Sequence, residues 1–218
     1  MPIEIEKKYR LSKKQRDEVL QRLPEMGAKR MSEEFEVNTL YAGNDLEVGR
    51  AVLRLRRVGK RGILTYKERF PTRSDIKHQR EDETRIDNPD AMELILDALG
   101  FRPALVYEKR RETWTLKETK TSKKTATSKK TETLATTAAL AKTNALRKTG
   151  SLGETEIVID ELPFGLFMEI EGTEENIRDV ESKLAIKRLR AEPATYPRLT
   201  IKHGKDCDGV IESRFRTS

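Results

Sequence analysis

Apolar and polar residues alternate with period two in several short runs, the spacing of half-buried β-strands. Ile3 and Ile5 fall on one side of the first run and Glu4, Glu6 and Lys8 on the other. In residues 51–58, Leu53 and Leu55 oppose Arg54 and Arg56. In residues 63–69, Leu64 and Tyr66 oppose Thr65 and Lys67. Strands are also expected over 33–41, 77–86, 105–114, 156–160 and 166–171. Gly43-Asn44-Asp45, Gly59 with Gly62, and Pro163 with Gly165 mark turns.

Helical spacing appears in between. Ser12 and Gln15 fit a capping box before Val19, Leu20 and Leu23, which predicts a helix over about 13–24. Asn88-Pro89 opens a second helix that Gly100 ends. Thr173 caps a third, and 195–204 predicts a short final helix. The connections are too short for repeated parallel crossovers. The expectation is one mainly β (α+β) domain over 1–204, followed by a polar, frayed tail at 205–218.

Charge matters once it is located. The chain has 218 residues and a net charge of +7. From Trp114 to Gly153 there are nine Lys and Arg against Glu118 and Glu132, so this segment carries the whole surplus. It is nearly all Thr, Ala, Lys and Ser, too poor in apolar residues to offset its ordering entropy. Residues 117–153 therefore read as a solvated, low-complexity insertion. Nucleic acid is an unlikely partner except weakly through its lysines. One cysteine and two histidines exclude a disulfide scaffold and a Cys- or His-rich metal site. The chain lacks a long apolar run and its N-terminus lacks an apolar targeting core, so a cytoplasmic protein with no membrane partner is expected.

Five strands carry ionisable residues two apart: Glu4/Glu6/Lys8, Arg54/Arg56, Glu81/Glu83, Lys109/Arg111 and Glu169/Glu171. An ordinary solvent face would mix signs within such pairs. Converging carboxylates imply divalent cations, and converging Arg and Lys imply phosphates. A closed barrel, apolar outside and charged inside, accounts for both. Its ligand would be small and highly anionic: a nucleoside triphosphate, tripolyphosphate or thiamine triphosphate. The sequence holds no Walker loop, Ser-His-Asp set or Cys-His pair.

These residues resemble the CYTH superfamily, also called triphosphate tunnel metalloenzymes. Glu4-Ile5-Glu6-Lys7-Lys8 is similar to its ExExK signature. LRLR at 53–56, TYK at 65–67, REDE at 80–83, LGF at 99–101, EKRR at 108–111, IDELPFG at 159–165, MEIEG at 168–172 and TYPRL at 195–199 follow in order. The resemblance implies an eight-stranded closed antiparallel β-barrel tunnel with helices packed outside. It implies Mg²⁺ or Mn²⁺ on Glu4, Glu6, Glu169 and Glu171. Glu81 and Glu83 would be further metal ligands or would hold basic side chains. Lys8, Arg54, Arg56, Lys67, Lys109 and Arg111 would clamp phosphate, with Arg80 on the opposite face of its strand. Lys67 with Tyr41 would activate water, alongside Lys8. Asp160 fits either a cavity acid or a turn residue, and His78 and His203 have no expected role. The implied activity is hydrolysis of inorganic triphosphate or thiamine triphosphate by a monomer or homodimer. A class IV adenylate cyclase, making cyclic AMP and pyrophosphate from ATP, is the alternative; a non-catalytic polyphosphate- or RNA-binding module is a further one.

Overall fold

In a computed structural model the description covers residues 3–43, 46, 51–70, 77–117 and 154–216; for residues 3, 4, 69, 77 and 78 it covers the backbone alone. The insertion beyond Lys117, and Asn44 and Asp45 of the expected turn, lie outside the described residues.

The chain runs through β1 (Ile3–Leu11), α1 (Lys13–Glu25), β2 (Lys29–Ala42), β3 (Ala51–Val58), β4 (Arg61–Arg69), β5 (Lys77–Ile86), α2 (Pro89–Ala98), β6 (Arg102–Lys117), β7 (Glu154–Leu162), β8 (Gly165–Glu171), α3 (Glu174–Lys183), α4 (Tyr196–His203), β9 (Lys205–Cys207) and β10 (Val210–Ser213). Each helix starts at a side-chain cap. Ser12 accepts from the Gln15 amide while the Gln15 side chain accepts from the Ser12 amide. Asn88, Thr173 and Thr195 cap the other three.

Period-two alternation decides what each face of the sheet meets. Tyr9 of β1, Ile157 and Ile159 of β7, and Met168 and Ile170 of β8 point outward. They form the main core with Val19 and Leu23 of α1 and Ile177 and Val180 of α3. A smaller core joins Tyr41 and Leu55 to Leu96 of α2. The opposite face of these strands turns inward and carries the charge.

The expected eight-stranded closed barrel is corrected by the sheet itself. The eight long strands build a curved, open antiparallel sheet, a half-barrel with edges 7 Å apart. The pairing order is β2-β3-β4-β5-β1-β8-β7-β6-β10-β9, and β2 also pairs with β6. The thinnest junction is β5–β1, where only Ile3–Glu6 and Lys77–Arg80 pair. From there on β1 departs from β5. Its Tyr9 forms a single bridge with Ala191, and the Lys8 carbonyl accepts from the Glu192 amide at 2.7 Å. Closing a sheet requires strand number, tilt and stagger to agree around the whole ring, which no local pattern encodes.

Residues 205–213, expected as a frayed tail, form β9 and β10. β10 lies parallel to β6, with Ile211 opposite Leu105. Glu108 then accepts from the Phe215 amide at 2.8 Å and pairs with Arg214 at 3.3 Å. β6 and β7 stay in register as far as Lys117 opposite Glu154, so the insertion joins two paired strand ends. Among the described residues, no helix is long and apolar enough to cross a membrane.

Candidate active site

The inner face encloses a cavity of about 480 Å³. Six cations from four strands line it: Lys8 on β1, Arg54 and Arg56 on β3, Lys67 on β4, and Lys109 and Arg111 on β6. Alternation puts each there. Arg54 and Arg56 are two apart, as are Lys109 and Arg111, and each pair shares a face. Glu6, Glu81, Glu169 and Glu171 line the same cavity.

The cations are held by carboxylates. Arg111 grips Asp160 through two hydrogen bonds, at 2.8 and 2.6 Å, and reaches Glu169 at 2.9 Å. Lys109 lies 3.2 Å from Glu36 and 3.5 Å from Asp160. Arg56 bridges Glu36 at 3.5 Å and Glu83 at 3.0 Å. Lys8 is 3.9 Å from Glu169, and its ammonium stands 4.2 Å from the centre of the Tyr196 ring. These contacts join four cations and four carboxylates, so the network balances its own charge. Lys67 pairs with Glu81 at 2.9 Å, and Arg54 donates to Thr65 at 3.3 Å. Glu81 and Glu83 thus hold basic side chains.

Burial and charge oppose each other throughout. Burial raises the Glu36 carboxyl, but Lys109, Arg111, Arg56 and Arg54 hold it well below the usual range. Asp160 behaves alike: burial raises it, and Arg111 and Lys109 more than offset that. For Lys109 burial wins. Burial and the Arg111 charge lower its ammonium pKa despite Asp160 and Glu36. Burial pushes the Tyr196 hydroxyl up, assisted by Asp160, to which it donates at 2.8 Å.

A second set of carboxylates lies in register. Glu171 of β8 sits opposite Glu6 of β1 on one side and opposite Glu156 of β7 on the other. Like charges directly across a sheet repel. Three in a row on a cavity wall supply the hard oxygen donors that divalent cations prefer. Among the described residues, no three His, Cys, Asp or Glu converge on one point ready to hold a metal. Such convergence is not required for Mg²⁺, which commonly takes one or two carboxylates plus substrate phosphates and water. The donor chemistry fits. The Glu4 side chain lies outside the described residues.

Two expected residues are placed elsewhere. Arg80 is not among the cavity residues and pairs with Asp82 at 2.6 Å. Tyr41 contributes to the cavity wall, but its ring packs with Leu55 and Leu96. Its buried hydroxyl makes no hydrogen bond, so no bonded Lys67–Tyr41 pair forms. Burial and Glu93 push that hydroxyl up to about 12. Alternation along β2 accounts for the packing, since Leu40 joins Leu105 and Tyr107 while Tyr41 joins Leu55 and Leu96. Glu36, Tyr107 and Tyr196 were missed. Tyr107 shares parity with Lys109, so alternation alone would have found it. Glu36 has a like-charged neighbour two residues away in Glu34, so the same spacing signal would have found it, whereas Tyr196 arrives from a helix.

The CYTH domain model matches residues 2–200. Among solved structures, the protein PH1012 of Pyrococcus horikoshii OT3 is similar at 21% identity, with a TM-score of 0.62 over 90% of this chain and 98% of that one. A putative adenylate cyclase from Vibrio parahaemolyticus is similar at 20% identity and TM-score 0.56, covering 89% and 95%. A putative adenylyl cyclase from Hippeastrum, described as having a dominant triphosphatase activity, follows at 18% and 0.57, covering 91% and 94%. Among curated proteins none matches the chain. With the domain model spanning nearly its whole length and the charged inner face in place, the chain belongs to the CYTH family.

Proposed function

We propose that the protein is a divalent-metal-dependent triphosphate phosphohydrolase. The family is associated with phosphohydrolase and cyclase activity and with metal-dependent triphosphate chemistry. The observation that carries the reading is the gathering of Lys8, Arg54, Arg56, Lys67, Lys109 and Arg111 around one enclosed volume. A triphosphate spreads several negative charges along a short chain, and cations from four strands can meet it from different sides.

Arg54, Arg56 and Arg111 would hold non-bridging oxygens through paired N–H groups, and Lys8, Lys67 and Lys109 would act as point charges. Fixing those oxygens orients the terminal phosphorus for in-line attack by water and stabilises charge that builds in the transition state. Tyr196 would hold Asp160, and through it Arg111, in one geometry. Glu6, Glu169 and Glu171, with Glu4 beside them in sequence, would hold Mg²⁺ or Mn²⁺. When bound, the metal neutralises phosphate oxygens and activates a nucleophile.

The balanced network adds a consequence. A triphosphate must compete with Glu36, Asp160 and Glu169 for the same cations. A metal that occupies carboxylates releases cations to the phosphates, so metal and substrate bind cooperatively. The test is phosphate release from inorganic triphosphate, thiamine triphosphate and ATP by the purified protein, with and without Mg²⁺ or Mn²⁺. Metal-dependent release from at least one supports the reading. Saturable binding without release of phosphate or pyrophosphate under any metal refutes it.

A further inference from the structure

A second cavity, of about 450 Å³, lies beside α2, on the outer side of the sheet. Among the described residues it shares only Tyr41 with the charged inner cavity. Alternation builds its floor. Thr39 of β2 pairs with Val106 of β6, and Val106 with Glu212 of β10, so three strands place one row of side chains there. Leu40 and Leu105, their neighbours in the chain, line the inner cavity instead. Glu93 and Asp97, one turn apart on α2, form the side wall. Phe101, Pro103 and Val210 add apolar surface.

Two independent observations point to a ligand. The first is Tyr41. It is 5% exposed, it lines this cavity, and its buried hydroxyl has no hydrogen-bond partner. The charges that act on that hydroxyl are Glu93, from the same wall, and Arg57, which pairs with Glu93 at 2.9 Å. A buried hydroxyl left unpaired is unfavourable, and a polar group of a ligand would relieve it. The second is the balance of donors and acceptors. Glu93, Asp97 and Glu212 accept when ionised. Among the described lining side chains, only the hydroxyls of Thr39 and Tyr41 can donate. Arg57, Arg102 and Arg214 hold the three carboxylates at 2.9, 2.5 and 2.7 Å, but none of these arginines lines the cavity. A carboxylate has about four acceptor sites, so each keeps capacity for a further donor.

A fitting ligand therefore donates several hydrogen bonds from one end and buries an apolar body with the other. An anionic end is repelled. Small-molecule sites span about 300–1,000 Å³, so the volume suits one small organic molecule. We propose that this cavity binds a small primary amine with an aromatic body. Its ammonium group would donate to the Tyr41 hydroxyl and the carboxylates around it, and its ring would lie on Val106 and Phe101. The site is separate from the basic clamp and does not rest on triphosphate turnover.

The experiment is calorimetric titration of the full chain with tryptamine, beside tryptophol and indolepropionate, which replace the amine by a hydroxyl and a carboxylate. Saturable binding of tryptamine is expected, about tenfold or more tighter than tryptophol, with no binding of the acid. Tyr41→Phe keeps the ring and is expected to weaken tryptamine about tenfold. Glu212→Gln is expected to weaken it about fivefold, with circular dichroism unchanged in both variants. Tryptophol binding as tightly as tryptamine, or an affinity for tryptamine unmoved by Tyr41→Phe, overturns the inference. So does binding lost in Glu6→Gln with Glu171→Gln, which assigns the amine to the inner carboxylates. No saturable binding of tryptamine or of the smaller phenethylamine overturns it as well.

Discussion

Replacing Asp160 by Asn tests whether the inner charges form one coupled network. Asp160 is fully buried and accepts from both Arg111 nitrogens and from Tyr196, with Lys109 at 3.5 Å. Asn preserves the shape and one acceptor oxygen. It removes the negative charge and leaves Arg111 and Lys109 buried with fewer counter-charges. Breaking a buried pair on one side costs about 3–5 kcal/mol, and the retained hydrogen bonding places Asp160→Asn near the lower figure. At about 2–4 °C per kcal/mol for a chain of this size, the melting temperature falls by about 6–12 °C. The same change frees positive charge for phosphate, so saturating triphosphate restores more stability to the variant than to the wild type.

The pH dependence has a definite sign. Asp160 is held below its ordinary range in the fold. Its contribution is therefore complete above the unfolded value of about 3.9 and is lost as pH falls through the lower folded value. The acid limb of a stability-versus-pH curve, taken from urea unfolding, flattens in Asp160→Asn. A variant with unchanged melting temperature, an unchanged acid limb and no added stabilisation by triphosphate refutes the coupled network.

Other perturbations separate the remaining roles. Glu6→Gln combined with Glu171→Gln removes two carboxylates of the registered row. It is expected to weaken metal dependence at least tenfold while circular dichroism stays unchanged; activity at wild-type metal concentration contradicts the assignment. Lys109 carries an ammonium pKa lowered by burial and by Arg111, so its positive charge disappears at lower pH than that of an ordinary lysine. KM for the triphosphate should rise with pH through that lowered value, and Lys109→Arg should move the rise upward; coincident profiles count against Lys109 as a clamp. Arg56→Ala leaves the buried Glu36 with less counter-charge, so loss of stability should accompany weaker substrate binding, read as a lower melting temperature and a raised KM. Met168→Ala, in the outer core and fully buried, is expected to cost about 2–5 kcal/mol in urea unfolding; binding of triphosphate by the folded fraction should persist if the outer core and inner face are separable.

Much of this arrangement was legible in the chain. Alternation sorts side chains by face without regard to partners, because successive residues of a strand point to opposite sides. It therefore placed Arg54 with Arg56 and Lys109 with Arg111, put Arg80 opposite Glu81, and set Ile3 and Ile5 against the acidic positions. Caps at Ser12, Asn88, Thr173 and Thr195 are equally local, and the helices begin where those residues stand. The packing of Tyr41 against Leu55 and Leu96 also follows the alternation of β2. The polar segment after His203 hid a strand, since β10 gains its order from a parallel ladder with β6 about a hundred residues earlier.

The sequence by itself determined which residues share a face, where helices start, and that acids and bases would be displayed in like-charged pairs. Those properties follow from backbone geometry repeated over a few residues. Tertiary structure alone decided that the sheet curves without sealing, that Glu36 and Asp160 neutralise Lys109 and Arg111, and that α4 supplies Tyr196 and Ile201 to the cavity. Each of these depends on register between strands far apart in the chain. Coulomb energy and desolvation act on distance through space, which the order of residues does not contain.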